Sequence, residues 1–411
     1  MSTSQTDPAV LLVGRFYSAA LAMQRLSFRA INIVTPSDLS TLHAEVSRDD
    51  VIVVSETDDI GELLSALARH GLRPEDFQAI YSQRERAVIA ASVLAQLGGT
   101  EGMSVQVALA LRDKQLQKII VREAGITTAR SRVADQLSEF TPGDDFEPCV
   151  IKPLDGGGSQ DTHLVRSHAQ FDELSERIGS TGPWLIEELI EGTEIHIDGV
   201  VKDGTVTFLS IGRYLHNVIS IKDGAFIASV HLDPQHESGL YARAHDLVHA
   251  SLNALGHRDG SFHLEAFERG EELVFSECGG RIGGGMIREA VEWKYGVVLV
   301  EEWARAVCHI EEPIAVTVRE GTCGFVHLPT PPGRILRMPT KEDLLAMPGC
   351  VAADVYQKAG GTAPDVSRAS SARAARALVS GRDADEVRDR IIKLVDWFLN
   401  AVEVEPVGST K

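Results

Sequence analysis

The stretch from Ser261 to Ile287 leaves this chain few ways to fold. Two apolar runs flank a turn at Gly270, and a glycine-rich segment follows them. This pattern predicts a β-hairpin that leads into a loop. Glu265 and Glu277 lie on opposite arms, so pairing around the turn places both carboxylates on one side of the sheet. The alternative is a surface hairpin with ordinary acidic residues.

Paired carboxylates are typical of a Mg²⁺ site that faces phosphate, because Mg²⁺ takes few protein ligands and completes its shell with phosphate oxygens and water. Arg281 follows four residues after Glu277. An arginine beside a metal can stabilise charge on a transferred phosphoryl group or on a tetrahedral oxyanion. The stretch therefore predicts phosphate chemistry, with Glu265 and Glu277 as the metal ligands.

Composition narrows the class of protein. A chain of 411 residues predicts two to four domains or subdomains. Lys and Arg number 40 against 59 Asp and Glu, a formal net charge of −19. That charge argues against a nucleic-acid scaffold and against binding to anionic membranes. It allows a polyphosphate substrate where a local basic cluster and a metal offset the charge.

The cysteines and the N-terminus indicate a location. None of the five cysteines forms a CxxC pair or a zinc-type spacing, which favours reduced thiols in a cytoplasmic protein. The first ten residues lack a secretory signal, and no apolar run approaches the roughly 18 residues of a membrane span. We therefore expect a cytoplasmic protein.

The first hundred residues alternate between β-type and helical patterns, which predicts a small doubly wound α/β domain. The predicted strands are 9–14, 30–34, 51–54 and 77–81, and the predicted helices are 17–28, 38–46, 60–70 and 84–97. The domain has no G-x-G-x-x-G fingerprint, so a dinucleotide cofactor is not expected there. A linker at 98–102 leads to one long helix at 104–125, in which the spacing alone makes Lys114 an ordinary solvated lysine.

A lysine and a glycine-rich loop follow. A β-run ends at Lys152-Pro153, the loop at 156–159 contains three glycines and Ser159, and a second β-run covers 162–165. Glycines let backbone N–H groups turn toward an anion, and the lysine adds a point charge. It is not a Walker A loop, because the lysine precedes the glycines and a strand follows them. The alternative is a flexible hairpin.

A third polar region covers 184–201. A strand enters Glu187-Glu188-Leu189-Ile190, and Gly192 makes a turn. Glu194, His196 and Asp198 then alternate with apolar residues, which predicts one polar face on a half-buried strand. Such a face suits ribose hydroxyls and equally suits solvent.

The rest of the chain offers weaker signals. Strands are predicted at 206–211 and 225–230, with Arg213 in the loop between them. A helix at 234–255 carries His245 and His249 four residues apart, and a solvated face explains them better than a metal. Further helices at 286–293 and 297–310 precede short strands at 324–328, 335–338, 351–356 and 374–379, and a helix at 386–402 ends the pattern.

The order of these motifs resembles the ATP-grasp superfamily of carboxylate–amine ligases over roughly residues 100–310, and is most similar to the L-amino-acid ligase (dipeptide synthetase) type. The motifs are Lys114, V-I-K-P at Lys152, the Gly/Ser loop, E-E-L-I, G-x-E at Glu194, H-L-E at Glu265 and E-x-x-x-R at Glu277. The resemblance implies a mixed α/β and α+β fold. Its parts are a doubly wound domain at 1–100, an ATP-grasp core at 101–310 with a lid subdomain at about 125–190 that clamps ATP, and a C-terminal α+β extension at 311–411.

The resemblance also implies roles for individual residues. Lys114, Lys152, Gly157, Gly158, Ser159, Glu187, Glu188, Ile190 and Glu194 are expected to bind ATP, Glu265 and Glu277 to bind Mg²⁺ (or Mn²⁺), and Lys152 and Arg281 to act in catalysis. Arg213, Gly283, Gly284 and Arg288 are expected near the substrates from their position alone. Many relatives have an asparagine as a further metal ligand where this chain has Gly279, although amino-acid ligases often lack it. Either water replaces that ligand or the second Mg²⁺ is held more loosely.

The implied activity is ATP-dependent joining of an amino-acid carboxylate to an amine through an acyl phosphate, with release of ADP and phosphate. The expected partners are small molecules and a second copy of the chain in a homodimer. Two alternatives stay open: an ATP-grasp ligase or carboxylase that acts on a non-amino carboxylic acid, and a nucleotide-binding regulator without turnover.

Overall fold

The computed structural model describes residues 9–16, 18–39, 42, 44–141, 148–179, 181–365 and 372–406. Within these ranges the chain forms a parallel four-stranded sheet, an antiparallel four-stranded sheet, an antiparallel eight-stranded sheet and a two-stranded ribbon. Each of the three larger sheets packs around its own buried apolar residues. The mixed α/β and α+β architecture agrees with the one that the motif order implies.

Alternating strands and helices build the N-terminal sheet, as the sequence predicts. The elements are β1 (Ala9–Val13), α1 (Ala19–Arg25), β2 (Arg29–Val34), α2 (Pro36–Leu39), β3 (Val51–Val53), α3 (Ile60–Arg69), β4 (Ala79–Tyr81) and α4 (Val88–Gly98). The strand order is β3-β2-β1-β4, with parallel pairing throughout. The helix predicted at 38–46 is wrong in its bounds: α2 begins at Pro36 and ends at Leu39, and Val46 reaches the core from a turn. Residues 40, 41 and 43 lie outside the described residues.

The single helix predicted at 104–125 is also wrong, because the chain forms two helices there. They are α5 (Val105–Ala110) and α6 (Lys114–Glu123). Asp113 caps α6 by accepting a hydrogen bond from the backbone N–H of Leu116 at 2.8 Å, so it starts a new helix instead of continuing the old one. Lys114 becomes the first residue of α6 and is 9% exposed. It is therefore not a solvated lysine.

A second, four-stranded sheet lies in the segment where the lid is expected, and we call it the lid sheet. Its elements are β5 (Ser131–Ala134), β6 (Cys149–Pro153), β7 (His163–Val165), α7 (His168–Ile178) and β8 (Trp184–Glu188). The strand order is β5-β8-β6-β7, with antiparallel pairing. Helix α7 covers one face with Phe171 and Leu174. The glycine-rich loop joins β6 to β7, where the sequence places it.

The largest sheet takes strands from both the middle and the end of the chain. Its segment contains β9 (Thr193–Lys202), β10 (Thr205–Tyr214), β11 (Ala228–His231), α8 (Ser238–Leu255), β12 (Gly260–Arg269), β13 (Glu272–Gly279), α9 (Ile287–Tyr295), α10 (Leu299–Val307), β14 (Thr322–Leu328), β15 (Arg334–Arg337), α11 (Lys341–Leu345), β16 (Cys350–Val355), β17 (Ala375–Gly381), α12 (Ala384–Ala401) and β18 (Glu403–Glu405). The strand order is β13-β12-β9-β10-β11-β14-β17-β16. The last hundred residues thus supply three strands of the same sheet.

Strand β9 is not half-buried, contrary to the alternation in its sequence. It lies between β10 and β12, and both of its faces are covered. Glu194, His196 and Asp198 share a face as predicted but are only 5%, 0% and 0% exposed. A polar residue in alternation indicates the face it points to, but it does not indicate whether water or protein covers that face.

The hairpin of β12 and β13 pairs as the sequence predicts. Glu265 lies directly opposite Glu277, and Arg269 lies opposite Glu272 across the turn. Gly270 has a φ of 61°, the left-handed backbone that such a turn needs and that glycine adopts at little cost. A register shift follows Glu265. Glu265 and Glu277 are therefore direct cross-strand neighbours in the sheet.

None of the described helices is both long enough and apolar enough to cross a membrane.

Candidate active site

A cavity of about 310 Å³ opens between the lid sheet and the largest sheet. Thirteen of the predicted site residues line it: Lys114, Lys152, Gly157, Gly158, Ser159, Glu187, Glu188, Ile190, Glu194, Glu265, Glu277, Arg281 and Gly284. Residues from four separate stretches of the chain thus meet in one place. A cavity of this kind, with apolar walls and converging charged groups, is the usual form of a small-molecule site.

Two lysines and one glutamate form a buried cluster at the lid side of the cavity. Glu187 forms two ion pairs, from Oε1 to Lys152 Nζ at 2.5 Å and from Oε2 to Lys118 Nζ at 3.0 Å. Burial alone would raise the pKa of Glu187, but the two lysines outweigh burial and hold the pKa below its ordinary value. Burial likewise opposes the charge of Lys152, while Glu187 and the cavity carboxylates raise its pKa overall. The cluster holds both lysine chains in fixed positions.

Lys118 was missed in the sequence. It is 1% exposed, and its Nζ also donates to the Ser276 carbonyl at 3.0 Å. One available signal was its position four residues after Lys114 on α6, because that spacing places both side chains on one helix face. Lys118 pairs with Glu187, which lies on β8, far from α6 in sequence. Local spacing therefore could not predict this pair.

Replacing Lys118 by Met tests this cluster. Removing one partner of a buried ion pair leaves the other charge poorly compensated, so we expect the free energy of unfolding to fall by about 3 kcal/mol. Urea titration measures the change. Arg388→Met is the matched control, since Arg388 pairs with Asp385 on the surface of α12 and is 52% exposed, and we expect a change within about 0.5 kcal/mol. Equal effects of the two substitutions would contradict the structural role of Lys118.

The paired carboxylates face the cavity beside basic groups. Lys114 Nζ lies 3.6 Å from Glu277 Oε2. Burial would raise the pKa of Glu277, but Lys114, Lys152 and Arg281 lower it to about 2. An ionised carboxylate opposite a second carboxylate is a donor set that a hard cation fits. Burial and the nearby Glu265 raise the pKa of Glu194 to about 8.

A carboxylate from the first hundred residues holds Arg281. Glu85 accepts Arg281 Nε at 2.8 Å and also accepts Arg112 Nη1 at 2.8 Å. Burial would raise the pKa of Glu85, but the two guanidinium groups lower it overall. Arg281 therefore enters the cavity with its orientation fixed. The sequence did not reveal this contact, because Glu85 and Arg281 lie 196 positions apart.

Behind Glu265 runs a buried chain of hydrogen bonds. His263 Nε2 lies 3.3 Å from Glu265 Oε1, and His263 Nδ1 lies 2.7 Å from Asp198 Oδ1. The other oxygen of Asp198, Oδ2, lies 2.6 Å from His196 Nδ1. Burial opposes the charge on His263, but Asp198 and Glu265 raise its pKa to about 10. Gly283 makes room for this chain, since an added Cβ would lie 2.4 Å from Asp198 Oδ1. Gly283 thus packs behind the cavity and does not line it.

The far end of the cavity is built partly by the C-terminal segment. Phe325, His327 and Arg373 line it beside Gly284 and Gly285. Arg376 of β17 donates to the Gly285 carbonyl and pairs with Asp354 at 2.8 Å. These residues could not be predicted from local pattern, because the C-terminal segment reaches the site only when its strands join the largest sheet.

Two residues expected near the substrates lie elsewhere. Arg213 belongs to β10 and not to a loop, and it pairs with Glu268 at 2.8 Å and with Glu237 at 3.4 Å outside the cavity. Arg288 pairs with Glu289 at 2.8 Å and also does not line the cavity. Position in the sequence alone was a poor guide to these two side chains.

Comparison with known families agrees with this geometry. Residues 146–289 match the ATP-grasp domain. The matched segment contains the glycine-rich loop, the Glu187–Ile190 strand end, both paired glutamates and Arg281. The chain therefore carries an ATP-grasp domain, and its fold is that of the ATP-grasp ligases.

Individual relatives extend the likeness beyond that domain. The chain is 26% identical over 390 residues to an L-arginine-specific L-amino acid ligase of Bacillus subtilis, covering 91% of this chain and 92% of the relative. It is 23% identical to dapdiamide A synthase of Enterobacter agglomerans, over 77% and 76% of the two chains. The crystal structure of an L-amino acid ligase from Bacillus licheniformis superposes with a TM-score of 0.76 at 16% identity, covering 98% and 100% of the chains.

Proposed function

We propose that this protein is an ATP-dependent ligase that joins the carboxylate of an amino acid to an amine, giving a dipeptide-type amide, ADP and phosphate. One observation carries the proposal: Glu265, Glu277, Arg281 and the Lys114–Lys152 pair converge on a single cavity. A site that only binds nucleotide has no use for an arginine fixed beside paired carboxylates. The similarity to amino-acid ligases along nearly the whole chain supports the same reaction.

The lid half of the cavity would hold ATP. Lys114 and Lys152 reach toward the phosphates, and the loop at 156–159 lies over them, with Lys114 Nζ already donating to the Gly156 carbonyl. Backbone groups at Glu188 and Ile190 would hold adenine, and Glu194 would hold the ribose. Glu187 forms ion pairs with Lys118 and Lys152, so we assign its side chain to positioning those lysines.

Glu265 and Glu277 would bind Mg²⁺, or Mn²⁺ in its place. When bound, the metal supplies positive charge that screens the phosphate oxygens from the incoming carboxylate. Lys114 and Lys152 add two fixed charges to the same group, and His263 with Asp198 holds Glu265 in place. Gly279 offers no side-chain ligand, so the protein's contribution to a second ion is limited to these two carboxylates.

The chemistry that these residues support is phosphoryl transfer followed by acyl transfer. A carboxylate oxygen attacks the γ-phosphorus of ATP, ADP leaves, and an acyl phosphate forms. The amine then attacks the acyl carbon, phosphate leaves, and the amine loses a proton. Arg281, fixed by Glu85, would stabilise negative charge on the tetrahedral oxygen. Closure of the loop at 156–159 would exclude water that could hydrolyse the acyl phosphate.

We further propose the domain boundaries 1–100, 101–310 and 311–411, a homodimer, and a cytoplasmic location. The five cysteines make no disulfide, which suits a reducing compartment. The C-terminal segment, although it follows the core in sequence, would shape the substrate end through Phe325, His327 and Arg373.

Product analysis tests the proposed reaction. Purified protein is incubated with ATP, Mg²⁺ and pairwise mixtures of the common amino acids, and nucleotides and amides are resolved by chromatography and mass spectrometry. We expect ADP and phosphate in equal amounts, only with particular pairs, alongside a dipeptide of matching mass. AMP and pyrophosphate would contradict the proposal. Turnover with non-amino acids alone, or ATP binding without any turnover, would favour the two alternative functions.

A further inference from the structure

A second cavity, of about 290 Å³, lies between the N-terminal sheet and the largest sheet. It shares no lining residue with the candidate active site. Its apolar walls include Val88, Val107, Tyr81 and Trp303, and the two aromatic rings meet edge to face with centroids 6.1 Å apart. The volume and the apolar lining suit a small organic molecule.

Two nearly buried polar side chains line this cavity with unused hydrogen-bonding capacity. Gln83 is 5% exposed and His257 is 3% exposed. Gln83 Oε1 accepts from the Ser261 hydroxyl and from the Ile282 N–H, both at 3.0 Å. Because a backbone N–H can only donate, the Ile282 contact establishes which end of the Gln83 amide is the oxygen. His257 Nε2 donates to the Ser261 carbonyl at 2.9 Å, which leaves Nδ1 as an acceptor.

The remaining atoms of these two groups have no protein partner. Neither the Gln83 amide nitrogen nor His257 Nδ1 makes a hydrogen bond to any part of the chain that the structure describes. Both atoms are accessible from the cavity, so a molecule bound there can pair with them. Ser261 anchors both side chains, so a free donor and a free acceptor lie close together in one cavity.

Charge selects the class of ligand. Gln83 is neutral, and burial lowers the pKa of His257, so its imidazole is neutral too. The charged residues of the lining, Glu101, Arg258, Asp259 and His309, are partly or fully exposed to solvent. A carboxylate or an ammonium group in the deep part would lack a counter-charge and would pay for its lost hydration. An uncharged amide needs no counter-charge, and its carbonyl and N–H can form hydrogen bonds with the Gln83 amide and with His257 Nδ1.

We propose that this cavity is a second binding site, for small uncharged amides that carry apolar substituents. The amide carbonyl accepts from Gln83, the amide N–H donates to His257 Nδ1, and the apolar groups lie against Val88, Val107 and Trp303. A free dipeptide, the product under the proposed function, lies outside this class because it carries an ammonium and a carboxylate group. The binding site itself does not depend on that function.

The second cavity is joined to the active site through one short segment. Gln83 holds the backbone N–H of Ile282, which follows Arg281, and Glu85 two residues later pairs with Arg281 itself. A ligand bonded to Gln83 therefore acts on the segment that fixes Arg281. Any coupling must be reciprocal, so an ATP analogue should change the affinity of the second site by the same factor as the ligand changes that of ATP.

Binding of N-acetyl-L-leucinamide to the full chain tests the proposal. We expect a calorimetric Kd at or below about 1 mM. N-acetyl-L-leucine, which has the same shape but carries a carboxylate, should bind at least about tenfold more weakly. No binding of the amide at 20-fold higher concentration, or equal binding of the two compounds, would overturn the proposal.

Variants locate the site. Val107→Phe enlarges a side chain of the cavity wall and should weaken amide binding at least about tenfold. Leu109→Phe is the matched control, because Leu109 lies on the same helix, is 41% exposed and does not line the cavity. His257→Leu removes the acceptor at similar volume and should also weaken binding. Unchanged binding in both folded cavity variants would overturn the assignment. Turnover is assayed in parallel: amide binding without turnover removes only the proposed function, and turnover without amide binding removes only this site.

Discussion

Glu277→Gln is expected to lower kcat/KM for ADP formation by at least about 10³-fold, because a neutral amide cannot replace one of two carboxylates that neutralise a metal–phosphate centre. The substitution keeps the size of the side chain and removes its charge. It also removes the partner of Lys114, which lies 3.6 Å away. We expect the Mg²⁺ concentration for half-maximal activity to rise, and the ATP-induced increase in melting temperature to shrink.

The matched control is Glu272→Gln. Glu272 lies on the same strand, but its side chain is 44% exposed and pairs with Arg269 at the hairpin turn. We expect activity within about twofold of the original protein, because exposed pairs contribute little. Similar activities for the two variants, both folded, would remove Glu277 from the metal site.

Arg281→Met is expected to lower kcat by about 10²–10³-fold, with much less effect on ATP binding, since the arginine is assigned to the oxyanion of acyl transfer. The Glu85 contact makes a specific second prediction. Glu85 holds Arg281 through Nε and pairs with Arg112. Glu85→Gln should therefore reduce kcat less than Arg281→Met does, because it loosens the guanidinium without removing it.

Steady-state kinetics and nucleotide titration measure the two effects separately. Arg269→Met serves as the control, since Arg269 is 49% exposed and pairs only at the hairpin turn among the contacts described. An Arg281→Met variant that loses ATP binding in proportion to its loss of turnover would place Arg281 with the nucleotide and not with the acyl group.

The hairpin could be predicted because its information is local. Alternation fixes which side chains share a face, Gly270 fixes the turn, and together they set Glu265 opposite Glu277. The break before Lys114 was missed although Asp113 is a good helix cap, because apolar spacing ran through it without interruption. Burial of β9 was missed because it depends on β10 and β12, which neighbour it only after the sheet has formed.

The residues of the candidate site also differ in how far they could be predicted from local sequence. Residues that belong to contiguous motifs, such as Lys152 with its loop and Glu277 with Arg281, were found and line the cavity. Residues that reach it from distant segments, such as Glu85 and His327, were not found, because no local pattern records a contact made by folding. Arg213 shows the opposite error, since an arginine near the motifs in sequence is held by Glu268 on another part of the surface.

The most direct test of the proposed chemistry follows an oxygen atom. The acid substrate is prepared with ¹⁸O in its carboxylate, and the phosphate released during amide formation is analysed by mass spectrometry. An acyl phosphate requires one carboxylate oxygen to leave with the phosphorus, so the account predicts one ¹⁸O in each phosphate formed. Unlabelled phosphate, or label found in AMP, would contradict it.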